Sequence, residues 1–285
     1  MPIGVLVVHG MGEQSEQHFG VTFIAEMQKR LRDADIALDE VTFERGYWAD
    51  LLNDRERELL EQMRAGGPLD YRALRGFIVN ALGDAVAYRR GSSDGKNLYY
   101  EIHGRILERL RVLRANLGGV DAPLVVVAHS LGSVIVSDYV WDAQHPETGR
   151  SKGDDDFVCM RTLAGLITFG SNIPLFTLAL PRVIAIAPPR SSPRLSDAVR
   201  AVARWENFYD PDDVLGWPLK TLAPGGPLGT GDHAYAEAVD VDHAIDVGGI
   251  LSAWNPMSHT AYWSDRDFLG PAARLIAAVA LAARD

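Results

Sequence analysis

Four aliphatics, then Ala128, a histidine, a serine, a leucine and two small residues, govern what this chain can fold into. The run reads Leu124-Val125-Val126-Val127-Ala128-His129-Ser130-Leu131-Gly132-Ser133. The aliphatics suit a strand buried on both faces, and Val134-Ile135-Val136 beyond suits a helix, so the backbone must reverse sharply around Ser130. Ala128 and Gly132, two residues to either side, are small enough for the close backbone approach such a turn demands. A serine held there is presented at a tip. The bland alternative is a serine that merely caps a helix.

Around this run, strands and helices alternate. Ile3 to Val8 is a short apolar strand running into the glycine-rich loop His9-Gly10-Met11-Gly12. Phe19, Phe23, Met27 and Leu31 recur at four-residue spacing and predict a helix with one buried face. Val41 and Phe43 mark the second strand. Between Leu51 and Leu117 the pattern is helical in three segments, two more than one crossover needs. Residues 51–90 therefore read as a helical insertion, either a lid or plain structural decoration. Further strands are expected at Leu163 to Gly170, Trp205 to Tyr209 and Val239 to Val247. Gly170-Ser171-Asn172 ends the first of these on small residues, where a substrate could approach. The stretch from Ile173 to Pro181 is apolar without clear period; through Phe176 and Leu178 it suits the wall of an acyl pocket, and equally a buried connection. Ser192-Pro193 suits the cap and first turn of a helix through Ala203, and Leu275 to Ala283 an alanine-rich terminal helix. The expected architecture is a single α/β domain over 1–285, a mostly parallel central sheet flanked by helices.

Composition narrows the functional classes. A net charge of −10 argues against a nucleic-acid partner. Cys159 is the only cysteine, so no internal disulfide can form, and its apolar neighbours suggest a half-buried inert thiol. Met1-Pro2 leads straight into the first strand without a basic region or cleavage site, so a cytoplasmic location is the default expectation. No run approaches the roughly 20 apolar residues of a membrane span. Asp154-Asp155-Asp156 reads as a solvated loop with too few ligands nearby for calcium.

A serine hydroxyl attacks a carbonyl only when a base takes its proton, a carboxylate orients the base and donors hold the oxyanion. The donors expected are the N–H of Leu131, directly after the nucleophile, and the N–H of Met11 in the loop after the first strand. The acid belongs after the strand ending near Tyr209, where Asp210-Pro211-Asp212-Asp213-Val214-Leu215 offers three aspartates. Asp210 suits a turn cap, Asp213 follows the turn with Val214-Leu215 to anchor it, and Asp212 is the alternative acid. Of eight histidines, five precede the acid in the chain, His233 lies in a glycine-rich loop and His243 inside the last strand. His259, in a loop beyond that strand, has the place of the base.

Taken together, His9-Gly10-Met11-Gly12, Ala128-His129-Ser130-Leu131-Gly132 and His259 resemble an α/β-hydrolase of the lipase and esterase kind, over residues 3 to about 268. Tyr209-x-Pro211-x-Asp213 and Ser258-His259-x-x-Tyr262-Trp263 also resemble the acid and base segments of DDHD-type phospholipases and related bacterial lipase-like proteins. In that family Pro-Val follows the acid where this chain has Val214-Leu215. The further acidic and histidine set of those phospholipases is not found here, so a lipid-phosphate substrate does not carry over. The resemblance implies a nucleophile elbow at Ser130 and a serine hydrolase acting on a small-molecule or lipid carboxylic ester, with no cofactor and no metal. Thioester or amide hydrolysis, or acyl transfer to another acceptor, would use the same residues. A non-catalytic binding protein on the same fold is the rival of a different class.

Overall fold

A computed structural model of the chain describes residues 1–10, 15–51, 58, 59, 61, 62, 88, 98–148, 153, 155–248 and 258–284. In chain order the elements are β1 (Ile3–Val8), α1 (Val21–Asp33), β2 (Val41–Gly46), α2 (Leu98–Asn116), β3 (Leu124–His129), α3 (Leu131–Gln144), β4 (Leu163–Phe169), α4 (Ile173–Thr177), α5 (Asp197–Val202), β5 (Arg204–Tyr209), α6 (Tyr235–Ala238), β6 (Val241–Ala244), α7 (Ser258–Ala261) and α8 (Arg266–Ala282). The strands form one sheet in the order β2-β1-β3-β4-β5-β6, every pairing parallel.

Parallel neighbours need crossovers, and the crossovers cover both faces, which is why the inner strands are aliphatic throughout. Along β1 and β3 the side chains divide by parity. Leu6, Val8, Leu124, Val126 and Ala128 face α2 and α3 together with Ile102, Ile106, Leu110 and Ile135. Ile3, Val5, Val7, Val125 and Val127 face α1 and α8 together with Phe23, Met27, Leu31 and Ile276. Burial of each such side chain contributes about 2 kcal/mol. Across the first face a buried polar contact also joins two helices: the Tyr99 hydroxyl of α2 donates to Asp142 of α3 at 2.8 Å, and His103 Nδ1 lies 3.5 Å from the same carboxylate.

The connections leaving β1 and β2 run to opposite faces, α1 on one and α2 on the other, so strand order reverses between β1 and β3. At such a switch point the loops after the two strands diverge and leave a crevice at their C-terminal ends. His9 and Gly10, which directly follow β1, and the serine turn after β3 lie at this end of the sheet.

Several local expectations change. The last strand is only Val241–Ala244, an exposed edge where alternation continues in sequence but pairing does not. The helix expected from Ser192 is a 3-10 turn at Pro189–Ser191 and then α5, whose N-cap is Ser196, with its hydroxyl accepting from Val199 N–H. Cys159 is buried, not half-buried, and its thiol donates to Gly153 O. The 173–181 stretch is no buried connection: it forms the short α4, and Leu178 is 86% exposed. The lid or insertion at 51–90 lies outside the described residues except for 51, 58, 59, 61, 62 and 88. Among the described residues no helix is long and apolar enough to cross a membrane.

Candidate active site

Ser130 stands between β3 and α3 at φ 52° and ψ −126°. A non-glycine residue in that region is strained by roughly 1–3 kcal/mol and persists only where its surroundings impose it. Here the strand on one side and the helix on the other impose it, and Ser130 N–H bonds Phe169 O of β4 at 3.0 Å. The turn also packs against the loop after β1. A Cβ on Gly132 would sit 2.4 Å from His9 O, and one on Gly10 2.4 Å from Ser130 Cβ, so both positions must lack a side chain. Leu131 then opens α3, a position whose N–H has no acceptor within the helix. Met11 lies outside the described residues.

The Ser130 hydroxyl donates to His259 Nε2 at 2.7 Å. The other ring nitrogen, Nδ1, lies 2.8 Å from Asp213 Oδ2 and 3.1 Å from Oδ1. A carboxylate only accepts, so the proton sits on Nδ1 and Nε2 keeps its lone pair for the serine. All three side chains are buried. Asp213 takes further donors from Leu215 N–H at 3.0 Å and the Tyr262 hydroxyl at 3.0 Å. Burial alone would raise its carboxyl; the hydrogen bond and charge of His259, with those two donors, outweigh it and hold Asp213 below the usual carboxylate range.

The choice between neighbouring aspartates is geometric. Pro211 turns the chain, Asp210 caps the turn by accepting Asp212 N–H at 2.7 Å and Val247 N–H at 2.8 Å, and Asp212 points into solvent. Asp213 N–H closes the turn onto Asp210 O, and its side chain returns to His259. Val214 does not anchor it in the core, being 74% exposed. Gly170, Ser171 and Asn172 after β4 are buried, and a Cβ on Gly170 would lie 3.2 Å from His259 Cε1. That small-residue strand end therefore accommodates the imidazole. Phe176 is half-buried against the core on the α3 side, whereas Leu178 stands at the surface.

Two further histidines brace the site. His9 Nδ1 donates to Gly10 O at 2.7 Å while its Nε2 accepts Trp48 N–H at 3.1 Å, so the ring is neutral with a fixed tautomer. Trp48 stacks on it at 4.7 Å. His129 Nε2 donates to His259 O at 2.7 Å, holding the backbone of the short α7. Burial pulls His9 down to about 4, and burial together with the His259 ring holds His129 well below its ordinary value.

These shifts give a stability prediction. An unfolded chain protonates His9 near 6.5, the fold only at about 4. Between those values the unfolded chain binds the extra proton, so stability is full above the window and falls as pH drops through it, by about 3 kcal/mol for His9, with His129 adding in the same direction. Urea midpoints measured from pH 7 to pH 4 should decline steadily. A flat series would contradict the neutral, buried assignment of both rings.

Residue order brought out Ser130, His259 and the aspartate pair, but not Tyr262, His9 or His129 as supports. Tyr262 follows His259 by three residues, one helical turn on, which is the spacing that could have pointed to it. Among the described residues no group of three or more His, Cys, Asp or Glu side chains could hold a metal ion. The chain matches no family model, no curated protein and no solved structure.

Proposed function

We propose that this chain is a serine hydrolase of the α/β-hydrolase kind that cleaves a carboxylic ester through an acyl-enzyme. The observation that carries the reading is the continuous chain from Ser130 Oγ to His259 Nε2 at 2.7 Å and from His259 Nδ1 to Asp213 at 2.8 Å, set on a strained turn at the sheet's switch point. A structural serine would gain nothing from that strain, while a nucleophile needs its oxygen at the tip of the turn.

In the forward step His259 takes the Ser130 proton as Oγ bonds the carbonyl carbon. The oxyanion is held by the N–H of Leu131, and the sequence offers the N–H of Met11 as the second donor. Collapse breaks the carbon–oxygen bond of the leaving alcohol, which receives the proton from His259. Water then repeats the sequence on the acyl-enzyme, His259 again acting as base, and releases the acid.

Mixing the protein with p-nitrophenyl acetate, butyrate and octanoate, and with matched thioesters, tests this. The expected result is saturable release that is faster for one ester length than for the others. Turnover confined to the thioesters would move the substrate class while keeping the residues. Turnover no faster than buffer for every acyl compound would reject the reading.

A further inference from the structure

Tyr262 is fully buried, and its hydroxyl has two bonds. It accepts Asp210 N–H at 2.8 Å and donates to Asp213 Oδ2 at 3.0 Å. A phenol has one proton, and the amide occupies a lone pair, so that proton is committed to the carboxylate. The fit is close: a Cβ on Gly216 would lie 2.5 Å from Asp213 Oδ2 and 3.0 Å from the Tyr262 oxygen. Oδ2 thus receives Tyr262 and the shorter contact of His259 Nδ1, while Oδ1 receives Leu215 N–H and the longer Nδ1 contact.

A buried phenol needs some partner, and any backbone carbonyl would satisfy it. This one gives its proton to the carboxylate that faces the imidazole, and through the same oxygen ties down the turn carrying that carboxylate. Each donor on a carboxylate draws charge from it and weakens its hold on a neighbouring imidazolium. We infer that Tyr262 is a positioning residue that sets the basicity of His259 through Asp213. Its catalytic consequence rests on the hydrolase reading; the Tyr262–Asp213–His259 coupling itself does not.

Other charges around the ring leave the coupling readable. His129 lies 4.8 Å away, its Nε2 proton on the His259 carbonyl. The Asp210 carboxylate is engaged by two amides, and Asp212 is exposed. Burial and the nearby Asp213 charge push the Tyr262 phenol far above its ordinary value, so it remains a donor at every working pH.

The test uses two changes at position 262, each read in two ways. Tyr262→Phe removes the donor; 3-fluorotyrosine at 262 keeps the ring and the amide contact but donates more strongly. The first reading is the acidic limb of kcat/KM against pH. The second, which needs no substrate, is the NMR titration of the His259 Cε1 proton. With phenylalanine both midpoints should rise by about half to one pH unit, with plateau kcat down roughly 3- to 10-fold. With fluorotyrosine both should fall. Unmoved midpoints in the fluorotyrosine protein would overturn the proposal whatever phenylalanine does to folding, as would a shift of the same sign in both. Opposite NMR shifts in a protein that hydrolyses no acyl compound would sustain the coupling and sink the hydrolase reading instead.

Discussion

Ser130→Ala is expected to lower ester turnover by about a millionfold while leaving the fold intact. The loss is large because the side chain supplies the atom that bonds the substrate, and without it the base and acid have no proton to move. The neighbouring hydroxyls cannot substitute. Ser133 Oγ donates to Ser130 O and lies 2.8 Å from Ser171 Oγ, both buried within the turn's own hydrogen bonding. Alanine meets the same backbone strain at φ 52° as serine does, so thermal midpoints of the two proteins should differ little. Parallel measurement of turnover and melting separates lost chemistry from lost structure. Turnover within tenfold of the parent would show that Ser130 is not the nucleophile.

Asp213→Asn should cost about ten-thousandfold in turnover. An asparagine amide directs either an N–H or a carbonyl at His259 Nδ1. If the N–H faces the ring, Nδ1 becomes the acceptor, Nε2 holds the proton, and the ring cannot take one from Ser130. If the carbonyl faces it, the tautomer survives but the charge that would stabilise the imidazolium is gone. Asp212→Asn should stay within about twofold, since that side chain points to solvent and only its amide is used, by Asp210. Steady-state rates of the two variants on one ester decide the matter. A greater loss from Asp212 would overturn the assignment of the acid.

Why Asp213 and not Asp212 was not legible from the chain alone. Both stand after Pro211 in a run of carboxylates, and only the turn closed by Asp210 rotates one inward and the other out. The serine, by contrast, could be read locally, because the strand before it, the helix after it and the small residues that allow their close approach are all within ten positions. His259, the proposed base, followed from chain order, which tracks the succession of strands in an α/β sheet. Tyr262 stands one turn from His259, but its partners lie 49 residues away at Asp213 and 52 at Asp210, so local pattern could place it near the base and not on the carboxylate.

The fold shows the same division. The inner strands β1, β3 and β4 are buried on both faces and carry continuous apolar runs, so periodicity located them. β6 is four residues on an exposed edge, and alternation continued past the point where its neighbour β5 stops pairing. The helix expected from Ser192 failed for a different reason: Pro193 favours a first turn, but its neighbours form a 3-10 turn and Ser196 supplies the cap. Cap residues compete, and the winner is set by which peptide groups the surrounding packing leaves unpaired. The exposed leucines of 173–181 carry no period, so nothing in the sequence said that they would face outward.

The central claim is that Ser130 is an activated nucleophile, and covalent labelling tests it most directly. A fluorophosphonate reacts with serines whose proton a neighbouring base removes and ignores ordinary ones. Incubation near neutral pH, followed by intact mass and peptide mapping, should give one adduct per chain, located on Ser130 and absent from the His259→Ala protein. An unlabelled parent chain, or an adduct on any residue other than Ser130, would contradict it.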